Sequence, residues 1–114
     1  MIRWFIFFLA LPAVAAADTD VYANAAGCAR LAGEVANDDM VIFRPGESIT
    51  FWESTCQILD ATMVGAGAIV HTVQCSGEGD TWEDYYMIET APVDGFTLHP
   101  EDQPEARVDL APCP

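Results

Sequence analysis

The stretch from Cys75 to Tyr86, CSGEGDTWEDYY, gathers four carboxylates, Glu78, Asp80, Glu83 and Asp84, around two glycines and three aromatic side chains, Trp82, Tyr85 and Tyr86. Oxygen-rich loops of this kind hold calcium, but the D-x-D-x-D-G order and the closing glutamate of a calcium loop are missing. Two carboxylates flanking a sugar bond can hydrolyse it, and such a pair could be drawn from these residues or Glu53. A small domain with no substrate cleft evident in its sequence argues against that chemistry. Two readings remain, a solvated turn and a recognition loop. Acids beside aromatic anchors suit a cationic partner. The expected partner-binding residues are therefore Glu78, Asp80, Trp82, Glu83, Asp84 and Tyr85.

No other constellation carries chemistry. There is no G-x-S-x-G and no S-x-x-K, and no cysteine is left over if all four pair. His71 shares a strand face with Ile69, Val73 and Cys75 and reads as a structural histidine. His99, before Pro100, reads as a strand-end residue. The expectation is a protein that is not an enzyme, with no catalytic residue, no cofactor and no metal.

The four cysteines are Cys28, Cys56, Cys75 and Cys113. No pair has the two-to-four-residue spacing of a structural zinc site. An even count in a small exported chain reads as two disulfides, and three connectivities are open. Export is expected from the first 17 residues. Arg3 supplies a positive start, WFIFFLAL an apolar stretch, and Ala15-Ala16-Ala17 a small-residue cleavage site before Asp18. That apolar stretch is shorter than the roughly 20 residues a spanning helix needs, so no membrane insertion is expected after its removal. The remaining residues, 18–114, form one domain of about 97 residues. It is periplasmic or secreted.

Removal of residues 1–17 leaves three arginines, no lysine and eighteen acidic residues. Twelve carboxylates lie between Arg44 and Arg107 with no basic residue among them. Such a surface repels phosphate backbones, which excludes nucleic acid as a partner. It serves solubility, or it steers a basic protein or peptide towards the chain.

The elements that must position these residues are short. Cys28, Leu31 and Val35 fall at helical spacing, which predicts a short helix or helical turn within 22–35, ended by Gly33. From Met40 onward the pattern is of β type: 40–44 and 48–53 around Pro45-Gly46, 56–64 and 68–75 around Gly65-Ala66-Gly67, then 81–90, 95–99 and 106–111. The stretch 76–80 reads as a loop. Seven strands with hairpin-length connections predict a small antiparallel meander closing into a barrel or sandwich. Ile49 with Phe51, Trp82 with Tyr86 and Ile88, Phe96 with Leu98, and Val108 with Leu110 share faces and are expected in the core.

Three features, ESTCQI at 53–58, CSGEG at 75–79 and a final cysteine close to the end of the chain, resemble a loose group of small exported bacterial proteins with four cysteines. The resemblance spans 28–113 and implies a small antiparallel β domain, with no site residues to carry over. It weights the pairing towards Cys28–Cys56 with Cys75–Cys113. Periplasmic lysozyme inhibitors are also small disulfide-bearing β-barrels, and an acidic inhibitor suits a basic enzyme. Their S-G-x-x-Y loop is not met here, because Asp80 stands where the tyrosine would be. Small metalloprotease inhibitors place a tryptophan beyond their second cysteine, and Trp82 after Cys75 looks similar to that. The reading is a non-catalytic exported domain that binds, or inhibits, a cationic protein or peptide. The alternatives are an inhibitor of one of these kinds and a structural or stress-related envelope accessory without a defined ligand.

Overall fold

Turn chemistry sets the strand boundaries. The computed structural model describes residues 20–35 and 37–114, so the expected signal segment lies outside the described residues. Among these described residues eight strands follow one another: β1 (Tyr22–Ala23), β2 (Val41–Arg44), β3 (Ser48–Phe51), β4 (Thr55–Gly65), β5 (Ala68–Gly77), β6 (Asp80–Thr90), β7 (Phe96–Pro100) and β8 (Val108–Pro112). Each pairs antiparallel with its neighbour in sequence, and β1 also pairs with β8, so the meander closes into a barrel. Closure removes the two edges an open meander would leave.

The seven expected strands are all present, and the eighth corrects the reading of the amino-terminal segment. Tyr22 and Ala23 are strand, opposite Phe43 and Ile42 on one side and Pro112 and Ala111 on the other. The helix α1 is confined to Ala25–Leu31. Asn24 caps it: its side-chain oxygen accepts from the Gly27 N–H at 2.8 Å and from the Val41 N–H at 3.0 Å, tying the helix to β2. Gly33, at φ +97°, follows the cap residue Ala32, as its position predicted. Val35 lies beyond the helix and is 90% exposed. The 3.6-residue spacing of Cys28, Leu31 and Val35 therefore overran the true helix by one turn.

Alternation along the strands fills the barrel. Val41, Phe43, Ile49, Cys56, Val73, Cys75, Ile88, Leu98 and Leu110 are buried together, with Tyr22, Phe51, Ile58, Tyr86, Phe96 and Val108 packed against them. Phe96 meets the rings of Tyr22 and Phe43 edge-on at 4.8 and 5.4 Å, and Phe43 meets His71 at 5.8 Å. Edge-to-face pairs of this kind add about 0.5–1.5 kcal/mol each beyond their buried area. A second cluster, Ala23, Met40 and Ile42 with Ala26, Cys28 and Cys113, lies under α1 on the outside of the barrel. Trp82 departs from the expected core. It shares the face of Tyr86 and Ile88 but stands past the barrel's end, 41% exposed.

The cysteines pair as Cys28–Cys113 and Cys56–Cys75. This corrects the expected Cys28–Cys56 and Cys75–Cys113. Cys56 and Cys75 are direct cross-strand partners in the β4–β5 ladder, so each has the other as its nearest thiol. Cys28 on α1 instead faces the residue just after β8, and the bridge locks the helix over the seam where β1 and β8 close the barrel. Both bridges point to an oxidising compartment, periplasmic or extracellular. Among the described residues no helix is long and apolar enough to cross a membrane.

Strands β4, β5 and β6 are 11, 10 and 11 residues long, while the others run from 2 to 5. The short strands cover this long sheet only in part. Strand β3 pairs with 55–57 of β4, and β7 pairs with 86–90 of β6. Among the described residues, two lengths of edge therefore remain uncovered at opposite ends of the sheet, 59–65 on β4 and 80–84 on β6.

Candidate functional site

The predicted loop at 76–80 is instead the tip of the β5–β6 hairpin. Gly77 pairs with Asp80, leaving a two-residue turn of Glu78 and Gly79, with φ values of +52° and +85°. Two successive positive φ angles make the turn type that matches strand twist, and glycine accepts such angles without steric cost. The Cys56–Cys75 bridge lies two residues before Gly77, so the projecting tip is stapled at its base.

Period-two alternation then sorts the six predicted residues. Glu78 sits on the turn, while Asp80, Trp82 and Asp84 point to the inward side of β6, where Tyr86 and Ile88 continue into the core. Glu83 and Tyr85 point outward, and the Tyr85 hydroxyl donates to Glu83 Oε1 at 3.0 Å. That bond, followed by the charge of Glu83, burial and the charge of Glu101, raises the Tyr85 phenol above its ordinary range. The six residues therefore do not form one patch.

Glu78, Asp80 and Trp82 line a cleft of about 220 Å³ together with Glu53, Ser54 and Gly77. The Glu53 loop, between β3 and β4, comes within contact of the tip because residue 77 is glycine. A Cβ there would collide with the Glu53 carbonyl oxygen and press on Ser54. Across this approach the Glu53 and Glu78 side chains line the same cleft. Hydrogen bonding towards the Glu78 side chain, then burial, then the charge of Glu78 hold the Glu53 carboxyl above the usual carboxylate range. A wider groove of about 740 Å³ continues from Glu53 and Ser54 past Trp52 and Thr50 to Arg30 and Leu31 on α1.

Asp84 and Tyr85 belong elsewhere, with Glu101 and Asp102, around a small hollow of about 130 Å³. Beneath it, burial first and Asp84 second push the Tyr86 phenol up to about 12. Glu53 is the residue a sequence reading most needed in the site. It entered that reading only as one possible member of a carboxylate pair, since its 25-residue separation from Glu78 hides a contact made by the hairpin.

The two histidines are buried, at 6% and 5% exposure. His71 Nδ1–H donates to the Ile69 carbonyl at 3.2 Å, and burial holds its ring below the ordinary histidine value, the carbonyl bond opposing in part. His99 Nδ1–H donates to the Pro100 carbonyl at 2.6 Å. Among the described residues no group of three or more histidine, cysteine or acidic side chains is placed to hold a metal ion. One ion pair forms among them, Arg107 Nη2 to Glu89 Oε1 at 3.7 Å, between half-exposed groups that water screens. No family model matches the chain, and neither a curated protein nor a solved structure is found to be similar to it.

Proposed function

We propose that the protein is a non-catalytic exported binding domain whose β5–β6 tip receives a cationic side chain of a protein or peptide partner. The observation that carries this reading is the cleft that gathers the Glu53, Glu78 and Asp80 side chains beside Trp82. Carboxylates gathered in one cleft repel one another, a cost that a nearby positive charge relieves. An ammonium or guanidinium placed among them offsets that repulsion. Trp82 offers a ring face to the same cation.

An inhibitor of a basic enzyme is the form of binding this geometry favours. A rigid tip, stapled by Cys56–Cys75 and bearing acid at its apex, can enter a cationic cleft with little ordering cost.

The test is a titration of the oxidised protein with a lysine- and arginine-rich decapeptide, read by tryptophan fluorescence and repeated at high salt. Binding that weakens about tenfold or more with salt, and is lost in a Glu53→Gln/Glu78→Gln/Asp80→Asn variant of unchanged fold, supports the reading. Equal affinity of the triple variant would overturn it.

A further inference from the structure

The uncovered edge of β4, residues 59–65, is the reverse of the acidic tip. Leu59, Met63 and Val64 are 55%, 72% and 56% exposed, three large apolar side chains on one short segment. Asp60 is the sole charged residue from Gln57 to Gly77, in a chain with a formal charge of −14. Edge strands in soluble proteins are usually blunted by lysine, proline or inward-pointing charge, and 61–65 has none of these.

The backbone identifies which groups are free. Ile58 gives its N–H to Glu47 O, on the side away from β5. Beyond the register shift at Leu59, Ala61 lies opposite His71 and Met63 opposite Ile69, on the same face as Ile58 opposite Val73. Alternation then turns the N–H and C=O of Ala61 and Met63 outward to the open edge. The register shifts after Ile58 and after Met63 leave one regular run, 60–63.

We propose that this edge pairs with the same edge of a second copy, antiparallel about a two-fold axis at Thr62. In that register Ala61 of each copy exchanges both backbone bonds with Met63 of the other, four hydrogen bonds in all, and the two Thr62 side chains stand side by side. The pairing is isologous, so one surface serves both copies. Charge selects this occupant. Two such anionic chains repel wherever their carboxylates meet, and this edge is the stretch where they do not. The two Asp60 carboxylates fall four positions apart, roughly 13 Å, beyond the physiological screening length. The acidic tips point to opposite ends of the six-stranded sheet that results. The area is small, which places the dimer among transient associations.

The experiment is sedimentation velocity on the oxidised protein over a range from micromolar to near-millimolar concentration, at low and high salt. The expected result is a monomer–dimer equilibrium that tightens as salt rises, opposite in sign to the capture of a cationic peptide. Thr62→Asp sets two carboxylates against each other on the axis and weakens the dimer roughly tenfold or more. Met63→Pro removes an outward N–H without breaking a β4–β5 bond, and abolishes the dimer even if Thr62→Asp folds poorly. Thr62→Cys, oxidised, yields a covalent dimer that Thr81→Cys does not. A wild-type protein that stays monomeric at every concentration and salt overturns the proposal, as does a dimer that survives both Thr62→Asp and Met63→Pro.

Discussion

The two uncovered edges of the β4–β5–β6 sheet differ in almost every respect except their backbone. The 80–84 edge carries Asp80, Glu83 and Asp84, and its tip is held against the Glu53 loop by the Gly77 approach. The 59–65 edge carries Asp60 alone and ends in a turn at Ala66-Gly67. An unpaired strand is a template for any passing strand unless charge or geometry forbids it. One end of the sheet thus carries charge that opposes strand addition, while the other does not. Composition at five or six positions makes the difference, with no change of fold.

The largest way to break this contrast is to unlock the acidic end. Gly77→Ala drives a methyl into the Glu53 carbonyl, and moving that backbone should cost about 2–3 kcal/mol, with loss of peptide binding. Gly65→Ala, at the other end, meets the Ala68 Cβ at an ordinary 3.7 Å and should change stability by less than about 0.5 kcal/mol. Urea unfolding of the two variants, side by side, measures the asymmetry. Equal effects would show that the two ends are braced alike.

Charge is the next lever. Neutralising the guarded edge as Asp80→Asn/Glu83→Gln/Asp84→Asn should create a second adhesive edge, and self-association should tighten by about tenfold at low salt. Light scattering across a concentration series reads this directly. No gain in mass would mean that strand twist rather than charge protects 80–84.

The ends should also titrate in opposite senses. His71 lies beneath the apolar edge, opposite Ala61, and its folded value is lowered by burial. The unfolded chain then binds a proton that the folded chain refuses. Stability is full above the ordinary histidine value of about 6.5 and is lost as pH falls through it towards the lowered folded value. Glu53 is raised, so its contribution is full below the ordinary glutamate value and is lost as pH rises through the raised one. The slope of the urea midpoint between about pH 7 and about pH 5.5 (from roughly half a unit above to roughly one unit below an unperturbed histidine) should flatten in His71→Gln. It should be untouched by Glu53→Gln in the upper half of that window.

The smallest effect concerns Tyr86. Because burial outranks Asp84 as the cause of its value of about 12, Asp84→Asn should return the phenol only part of the way towards its usual range. A spectrophotometric titration of phenolate absorbance checks it. A full return would make Asp84 the dominant cause and would place the ring nearer to water than its packing against Phe51, at 5.4 Å between centroids, implies.

Periodicity made the barrel legible. Ile49, Phe51, Tyr86, Ile88, Phe96, Leu98, Val108 and Leu110 all alternate into the core because strands report their inward face every second residue. The two-residue β1 escaped, since two residues have no period. Its pairing with β8 is set by residues 88 and more positions away. The true partner of Cys56 was implicit in the hairpin about Gly65-Ala66-Gly67, whose arms of nearly equal length both end in cysteine. The family resemblance outweighed that geometry in the expected pairing. At the tip, Glu78, Asp80 and Trp82, singled out by composition, line one cleft. Their separation from Glu83 and Tyr85 follows from a strand starting at Asp80, which the glycines at 77 and 79 disguised as a loop.

The nested arrangement of the two bridges, Cys56–Cys75 inside Cys28–Cys113, sets the order of emergence against the order of closure. A chain made amino end first exposes Cys28 and Cys56 to oxidants before either native partner exists. Their premature union would be the non-native Cys28–Cys56 link, in a segment that cannot yet fold, because the strand beside β1 is the last to be synthesised. Maturation therefore depends on thiol exchange to undo early links or on a delay in oxidation until Cys113 arrives. Yield in the cell should track the supply of a disulfide isomerase more closely than the supply of oxidant.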